Sequence, residues 1–509
     1  FTVEPNMEGT YTIGTKNAGS VRNFPTITAA VNELYLRGVS GPVVFEFTDG
    51  TYQENQSPNS NGAAIDLTGF IVGMGGKNTV TFKPSLEQSL SKGAISIQLT
   101  SDEGKGFLFG QHLLPSNQNS LAREFPNERR FSNSAGGFIF DGGKQKSIQV
   151  VLASTSPFRA PFYLGDGSSN IELRNLVIGN AAGTTPSYRT AIPQVYFTNG
   201  QYTFESDVRT VSGQPVTYSA GIINRAKMPT GLSGNNAERL DTLTNDDNVF
   251  AGNEISGFGY GIVTLGIGQL LQGGVNEYRE FLNDNTTISM NVISNVLAAG
   301  VYAGFEEHLK VTGNEIYNVG ASTGMTTSEA SGIVLGGSGR YYTNGAVVTD
   351  NEIDDVEGQQ YSTGIGSLQT RSVYQSFGST NKGGSATQAQ VVFSGGNGLI
   401  GSNTIWGLRR GTSTGTMAGV HVYTTRDGDL LTPKYGDFFT TGDRVVNNTV
   451  VLTSDNQTGT GTGAIVGVGI QNADGAEVSN NAIALLSDAG VATLTQSAIL
   501  YKGTMVRNG

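Results

Sequence analysis

The stretch V-T-G-N-E-I-Y-N-V, residues 311–319, contains the pattern that decides the fold. Val311 stands three positions before Asn314, and Ile316 stands two positions after it. The same order of an aliphatic residue or Phe, any two residues, Asn, any residue, and Ile or Val occurs seven times: Phe250/Asn253/Ile255, Ile288/Asn291/Ile293, Val311/Asn314/Ile316, Val348/Asn351/Ile353, Ile400/Asn403/Ile405, Val445/Asn448/Val450 and Val478/Asn481/Ile483. A looser eighth match at 170–180 places Glu172 first. Repetition of one motif predicts a solenoid.

A second motif, a small residue followed by an aliphatic one, comes after each Asn motif. Its members are Gly261-Ile262, Gly300-Val301, Gly332-Ile333, Gly364-Ile365, Gly419-Val420, Gly469-Ile470 and Ala498-Ile499. Successive motif Asn residues are 38, 23, 37, 52, 45 and 33 positions apart. A variable period with a fixed anchor indicates a constant coil that carries loops of different lengths. The shortest spacing is about what three short strands and three turns require.

In a parallel β-coil, each strand pairs with the equivalent strand of the next coil, ~4.8 Å away. Aliphatic residues at matching positions then stack inside the coil. Asn suits a sharp corner because it tolerates the left-handed conformation better than other non-glycine residues. Its amide can also bond the Asn of the next coil. We therefore predict a ladder of Asn side chains with Asn314 as one member.

This pattern resembles the right-handed, three-sheet parallel β-helix of the pectin-lyase-like superfamily over roughly residues 40 to 509. Leucine-rich, calcium-binding nonapeptide and hexapeptide repeats do not fit. Residues 24–54, FPTITAAVNELYLRGVSGPVVFEFTDGTYQE, contain a capped amphipathic helix followed by a strand. Their sequence is similar to that of exported surface β-helix proteins of the Bacteroidota and their relatives. The resemblance implies an all-β fold with a short N-terminal capping helix.

We divide the chain into residues 1–42, an N-terminal arm and capping helix, and 43–509, a β-helix with loop insertions. The largest insertion, roughly 184–245, is a candidate subdomain. Residues 1–14 alternate in character and are suited to adding a strand to a neighbour. Residues 497–509 end in a strand, so we expect either further chain or another molecule to cover it. Such ends would favour head-to-tail or lateral self-association.

The composition limits the function. The 509 residues carry a formal charge of −11, which argues against nucleic acid as a partner. With no cysteine, the chain has no disulfide, Cys-based zinc site or thiol nucleophile. No apolar run reaches the ~20 residues of a membrane-spanning helix. The sequence begins at Phe1, so we expect that an export signal has been removed and that the protein is extracellular or on the cell surface.

Carboxylate pairs are the first candidates for catalysis, because the resemblance implies hydrolases with paired carboxylates and a GHG motif. T-N-D-D-N, residues 244–248, supplies Asp246 and Asp247, and Asp354 and Asp355 form a second pair. No GHG follows, since His308 lies in EEHLK, His421 in GVHVY, and His112 is isolated early in the chain. We interpret both pairs as turn residues.

Other charged groups give no stronger signal. Asp427, Asp429 and Asp437 could bind calcium, but a solvated loop is the expected role. The segments 128–130 and 409–410 are expected at the surface. We therefore assign no catalytic, metal-binding or cofactor-binding residue. The sequence predicts a non-enzymatic extracellular structural protein, such as a filament, sheath or adhesin subunit, with cell-surface polysaccharide as a further candidate partner. The alternative is a β-helix that binds or cleaves polysaccharide, as a lyase or hydrolase.

Overall fold

The computed structural model describes most of the chain, and all structural statements below concern these residues. The described ranges are 5–110, 136–180, 188–227, 243–272, 277–320, 326–337, 341–375, 389–426, 439–454, 463–487 and 495–502, without residues 59, 194, 199, 200, 205, 394, 413, 441 and 472.

In each coil, the strand of the first of three parallel sheets lies just before the Asn of the motif. Its short strands present a buried aliphatic or Phe at the middle position, which stacks on the next coil. Its strands in spatial order are Asn23–Phe24, Met7–Ile13, Val39–Phe47, Val80–Pro84, Phe138–Asp141, Glu172–Arg174, Val249–Ala251, Thr287–Ser289, Lys310–Thr312, Val347–Thr349, Leu399–Gly401, Arg444–Val446 and Glu477–Ser479.

The second sheet begins directly after the Asn of each motif. In two coils it runs without interruption into the third sheet, so that Glu254–Leu265 and Val292–Gly304 contribute to both. Its remaining strands are Thr51–Asn55, Ile95–Thr100, Ile148–Ala153, Leu176–Asn180, Glu315–Gly320, Glu352–Ile353 with Val356–Gly358, Thr404–Ile405 with Leu408–Arg410, Thr449–Ser454 and Ala482–Ser487.

The third sheet carries the small-aliphatic motif and completes the coil. Besides the two shared strands, it contains Ala63–Leu67, Lys105–Phe109, Ala160–Leu164, Ala220–Arg225, Glu329–Gly336, Tyr361–Gln375, Thr416–Arg426, Ala464–Gln471 and Thr495–Lys502. Every pairing within the three sheets is parallel, and the predicted three-sheet parallel β-helix is confirmed.

Short parallel strands, antiparallel hairpins and a 3₁₀ turn lie between the strands of the three sheets. Asn283–Asp284, Glu306–Glu307 and Thr343–Asn344 form a narrow parallel sheet at the corner between the third and first sheets, and Phe439–Thr440 pairs with Ala473–Asp474. Antiparallel hairpins pair Val195–Thr198 with Gln201–Phe204, Val208–Val211 with Gln214–Thr217, Gly268–Gln272 with Glu277–Phe281, and the end of Tyr361–Gln375 with Ala389–Phe393. Gln88–Leu90 is a single 3₁₀ turn.

Glycines of the small-aliphatic motif make room for the Ile or Val of the Asn motif. A Cβ placed on Gly332 would lie 2.6 Å from Ile353 Cγ2 and 2.7 Å from the Gly364 carbonyl oxygen. The same contact, 2.3–2.6 Å, recurs at Gly221, Gly261, Gly300, Gly364, Gly419 and Gly467. The two sequence motifs are therefore linked because the branched side chain of one fills the space that the other leaves empty.

The helix Ile27–Arg37 covers the N-terminal end of the stack. Thr26 caps it by accepting the Ala29 N–H at 3.1 Å, and the buried Glu54 carboxylate accepts the Ile27 N–H at 2.6 Å. Its buried face, which includes Leu34, closes the core. The predicted capping helix is confirmed.

The N-terminal segment is part of the same stack. Met7–Ile13 pairs in parallel with Val39–Phe47, so the predicted division at residue 42 falls inside a strand of the first sheet. On the other side of the strand Met7–Ile13, the Arg22 guanidinium donates to the carbonyl oxygens of Glu8 and Thr10. Residues 7–13 of the predicted arm therefore pair with strands of their own chain.

The predicted insertion at 184–245 is only partly separate from the coil. It contains the first two antiparallel hairpins, but Ala220–Arg225 within it is an ordinary strand of the third sheet. Among the described residues, no helix is long and apolar enough to cross a membrane.

Candidate functional site

The predicted Asn ladder runs through seven coils with constant geometry. Asn314 accepts, at Oδ1, the backbone N–H and the side-chain amide of Asn291 at 3.0 and 2.9 Å. It donates to the Ile288 carbonyl and to Asn351 Oδ1. The pattern recurs from Asn253 to Asn481. Each amide thus satisfies buried backbone groups at a corner where strand pairing is interrupted.

The ladder Asn residues do not adopt the left-handed conformation that was predicted for them. The left-handed residue at the corner is the one before each ladder Asn: Gly252, Met290, Gly313, Asp350, Ser402, Asn447 and Asn480. The ladder residues themselves have ordinary backbone angles. Asn is placed there for its two donors and one acceptor rather than for its backbone tolerance.

Two motif assignments shift in register. In the loose eighth match, Leu176 pairs at the ladder position and Asn175 is the left-handed residue before it. Leu176 donates its N–H to Asn253 Oδ1 and ends the ladder. In V-G-V-G-I, residues 466–470, the residue equivalent to Gly419 is Gly467, and Gly469 pairs with His421 on the outer face. The two overlapping Gly-aliphatic pairs made the sequence ambiguous.

A second polar row, which the sequence analysis did not identify, runs inside the corner between the third and first sheets. Asn245 accepts the Ser168 N–H at 2.9 Å, and Asn283 accepts the Asn245 N–H at 3.0 Å. Asn283 donates to Glu306 Oε1 at 2.7 Å. Thr343 continues the row in the next coil. Its residues differ in type, so no repeated sequence motif indicated this row.

The outer side of the same corner carries a row of carboxylates. Asp246, Asp284 and Glu307 follow one another on successive coils. Asp246 accepts the Asp284 N–H at Oδ1 and the Thr244 hydroxyl at Oδ2, both at 3.0 Å. Burial, with a smaller contribution from nearby carboxylates, raises the pKa of Asp246 to about 6. Both oxygens of this predicted catalytic candidate therefore have bonds within its own chain.

The other residues of the predicted pairs are Asp247, Asp354 and Asp355. Asp247 and Asp355 have positive φ angles of 56° and 51°. The carboxylate of Asp355 pairs with Arg409, and Asp354 accepts the Asp355 N–H at 2.6 Å. Positive φ angles are typical of tight bends, and the interpretation of the two pairs as turn residues stays a prediction. The prediction that both Arg409 and Arg410 are exposed is wrong for Arg410, whose side chain is buried.

His308 lies next to carboxylates. Its Nδ1 lies 2.9 Å from Asp284 Oδ1, and its φ of 52° places it at the turn after Glu306–Glu307. One ligand atom from each of Asp284, Glu307 and His308 lies within 4.8 Å of the others. This donor set would suit a divalent cation, although exposed acidic groups commonly come this close without one.

A buried ionic cluster attaches the second hairpin of the insertion to the third sheet. The Asp207 carboxylate accepts the hydroxyls of Tyr163 at 3.0 Å and Tyr218 at 2.8 Å, and it pairs with Arg225 and Lys227. Burial lowers the pKa of Lys227 and raises that of Tyr163. Because four donors converge on one carboxylate, the cluster has a structural explanation as the anchor of the hairpin.

An open trough of about 200 Å³ lies on the outer face of the third sheet over its later coils. His421 forms one wall and Leu500 the other, with Gly469 between them. A Cβ on Gly469 would come within 3.1 Å of His421 Cδ2, so glycine lets the imidazole lie against the sheet. His421 also stacks on Tyr423 with ring centroids 5.9 Å apart.

The same outer face is closed over the earlier coils. There the outward-facing residues on successive coils are bulky, and they are buried in a cluster that also contains Ile192 and Tyr218 of the insertion: Tyr163, Ile223, Val263 and Tyr302. His112, residues 128–130, Asp427, Asp429 and Asp437 lie outside the described residues.

The geometry defines a parallel β-helix protein. No family model matches the chain, and no curated protein sequence matches it. Among solved structures, it is similar to a periplasmic alginate epimerase, AlgG, with 11% identity, 92% of this chain and 71% of that chain covered, and a TM-score of 0.33.

Two further similar structures are the AlgE6 A-module, a mannuronan C-5 epimerase of Azotobacter vinelandii, and PfbA, a surface adhesin of Streptococcus pneumoniae. The identities are 12% and 8%, and the TM-scores are 0.34 and 0.38. Coverage is 94% of this chain and 95% of AlgE6, and 92% of this chain and 89% of PfbA. None of these likenesses bears on function.

Proposed function

We propose that the chain is an extracellular, non-enzymatic surface protein of the structural or adhesin type that binds polysaccharide in the trough at His421. The trough is the observation that carries this proposal. It lies on the described part of the third sheet's outer face where the small residues Thr363, Ala418 and Gly469 leave space between bulkier neighbours. Its open shape admits a segment of an extended chain as well as a chain end.

The lining of the trough fits a sugar ring. Ala418 and Val466 offer an apolar floor beside the Leu500 wall. Hydroxyl, imidazole and amide groups also line the trough, on Tyr361, Thr363, Thr416, His421 and Gln471. A pyranose ring has an apolar face and a polar edge, so it can contact both kinds of group at once. No Asp, Glu, Lys or Arg is among the described residues that line the trough, which favours a neutral glycan.

Binding can be tested by affinity electrophoresis through gels that contain neutral glucans, mannans or galactans, with alginate and polygalacturonate as acidic comparisons. Ala418→Leu fills the floor and is expected to abolish retardation. Ala484→Leu, on the outer side of the second sheet, makes the same change away from the trough and should retain it. Equal retardation of both variants and the wild type would remove the trough from the proposal.

A second candidate function, polysaccharide cleavage, is favoured by one observation. Asp246 has a raised pKa next to Asp284 on the neighbouring coil. Adjacent strands lie ~4.8 Å apart, and two carboxyl groups at about 5 Å suit a retaining glycosidase. Product release from the same polysaccharides, lost in Asp246→Asn, would establish this alternative. The structural bonds of both Asp246 oxygens support the non-enzymatic proposal instead.

Self-association is part of the proposed surface role. Exchange of residues 1–14 between molecules would first have to break the pairing of Met7–Ile13 with Val39–Phe47. Lateral contacts require no such break. Electron microscopy of the purified chain tests this point: filaments or bundles support an assembly subunit, whereas single rods at every protein concentration would limit the proposal to an adhesin.

A further inference from the structure

Asn-Gly dipeptides are places where a protein chain can modify itself. The backbone nitrogen of the glycine can attack Cγ of the preceding Asn, because glycine has no side chain that obstructs the five-membered ring that forms. Three such pairs lie in the described part of the chain, at Asn61-Gly62, Asn344-Gly345 and Asn397-Gly398. The hydrogen bonds of the three glycines distinguish these pairs from one another.

The glycine nitrogen must be free to react, and two of the three are held by hydrogen bonds. Gly345 donates its N–H to the Gly396 carbonyl oxygen at 2.8 Å. Gly398 donates its N–H to Oδ1 of the buried Asp443, also at 2.8 Å. Attack on the preceding Asn would first have to break these bonds. For the N–H of Gly62, the described residues provide no acceptor.

Asn61 and Gly62 form the turn that leads into the third-sheet strand Ala63–Leu67. Their φ angles are 47° and 77°, as in tight turns that require the left-handed region at both central positions. Asn61 is exposed, so water reaches its amide. The Glu103 carboxylate lies over Gly62, where an added Cβ would collide with it. This carboxylate is a base positioned to take up the proton of the Gly62 N–H.

We propose that Asn61 is a site of spontaneous deamidation, and that the carboxylate it acquires loosens the turn between the second and third sheets. The Gly62 nitrogen forms a bond to Asn61 Cγ, the Cγ–Nδ2 bond breaks, and Nδ2 leaves as ammonia with the proton that Gly62 released. Water then opens the succinimide ring to an aspartyl or isoaspartyl residue. No oxidant or reductant takes part.

The new charge would lie against an acidic neighbour. Asn61 Nδ2 donates to Asp66 Oδ2 at 2.8 Å, and Lys105 Nζ donates to the Asn61 carbonyl oxygen at 3.3 Å. A carboxylate in place of the amide removes this donor and places two negative charges side by side. Lys105 compensates only in part, because it also pairs with Glu103. The Asp66 carbonyl oxygen accepts the hydroxyl of Tyr35 at 2.8 Å, which connects this turn to the capping helix.

Asn397 is a matched internal control. It is exposed, its φ is 55°, and a buried glycine follows it, as in Asn61. The two sites differ at the glycine, because of these two only Gly398 has a bonded N–H in the described part of the chain. A difference in rate between them therefore depends on the glycine rather than on the exposure or the φ of the Asn.

The experiment incubates the folded wild-type protein at mildly alkaline pH and follows its peptides by mass spectrometry, in which each deamidation adds one mass unit. Conversion at Asn61 is expected to be at least about tenfold faster than at Asn397, because the bond from Gly398 must open first. In the denatured chain the two rates should be similar. Asn61→Gln should remove the signal, since the longer side chain would have to form a larger ring.

Equal rates at Asn61 and Asn397 in the folded protein, or an unconverted Asn61 where the denatured chain converts, would overturn the proposal. The effect on the turn is tested by hydrogen exchange at Ala63, whose N–H donates to the Ser60 carbonyl oxygen at 2.8 Å. Asn61→Asp should accelerate this exchange by about tenfold, whereas Asn397→Asp should leave it unchanged. Unchanged exchange in Asn61→Asp would show that the turn tolerates the charge, and this part of the proposal would be wrong.

Discussion

Replacement of a central ladder residue, Asn351→Ala, should lower the local stability of the neighbouring coil strongly. Asn351 accepts the backbone N–H and side-chain amide of Asn314 at 3.0 and 2.9 Å, and donates to Val311 O and Asn403 Oδ1, both at 2.9 Å. Alanine would orphan two buried Asn314 donors, each worth about 1–3 kcal/mol. Because Asn314 keeps its bond to Ile288 O, we expect a total of about 3 kcal/mol.

Hydrogen exchange at the Asn314 amide is the suitable assay, because a solenoid can open locally and its global unfolding need not be two-state. A loss of about 3 kcal/mol corresponds to exchange faster by about a hundredfold. Asn55→Ala, at an exposed position on Thr51–Asn55, is the matched control and should change exchange by less than about twofold. An Asn314 amide that exchanges as slowly in Asn351→Ala as in the wild type would refute the ladder argument.

Three further changes test the packing and the ion pairs. Gly332→Val should cost about 3 kcal/mol or more, because its Cβ would meet Ile353 Cγ2 at 2.6 Å, whereas Gly366→Ala, whose Cβ meets nothing closer than 3.7 Å, should cost less than about 1 kcal/mol in the same urea titration. Asp207→Asn removes the carboxylate charge that pairs with the buried Arg225 guanidinium and should make the hairpin that Asp207 anchors sensitive to limited proteolysis, which an intact hairpin would contradict. Arg409→Ala, whose side chain is 47% exposed, should change stability by less than about 1 kcal/mol, and a larger loss would show that surface pairing matters here.

The fold could be predicted because its coils repeat the same side-chain contacts. Each ladder Asn must bond the next, and each motif Ile needs a glycine beside it, so the same letters recur at linked positions. The capping helix was predictable for a local reason, since Thr26 and the buried face that includes Leu34 follow helix periodicity. Register was harder where the letters allowed two choices, as at Gly467 and Gly469.

The candidate sites could not be predicted in the same way. The inner row that contains Asn245, Asn283 and Glu306 joins residues of different type, and loops of unequal length separate them in the chain. The trough is lined by one histidine and by residues of common types, such as Thr363, Ala418 and Val466, and no shared motif marks them in the sequence. Only the pairing of His421 with Gly469 brings its wall and floor together. The sequence therefore did not indicate which of these unlike residues lie together, because the strand pairing between coils decides it.

The most direct measurement of the central claim is a single titration that follows both binding and cleavage. Purified protein would be mixed with a neutral polysaccharide that retards it in gels, and calorimetry and the chain length of the polysaccharide would be followed over a day. We predict saturable binding that Ala418→Leu abolishes and no change in chain length. Progressive shortening of the polysaccharide that Asp246→Asn prevents would contradict the account and make the protein an enzyme.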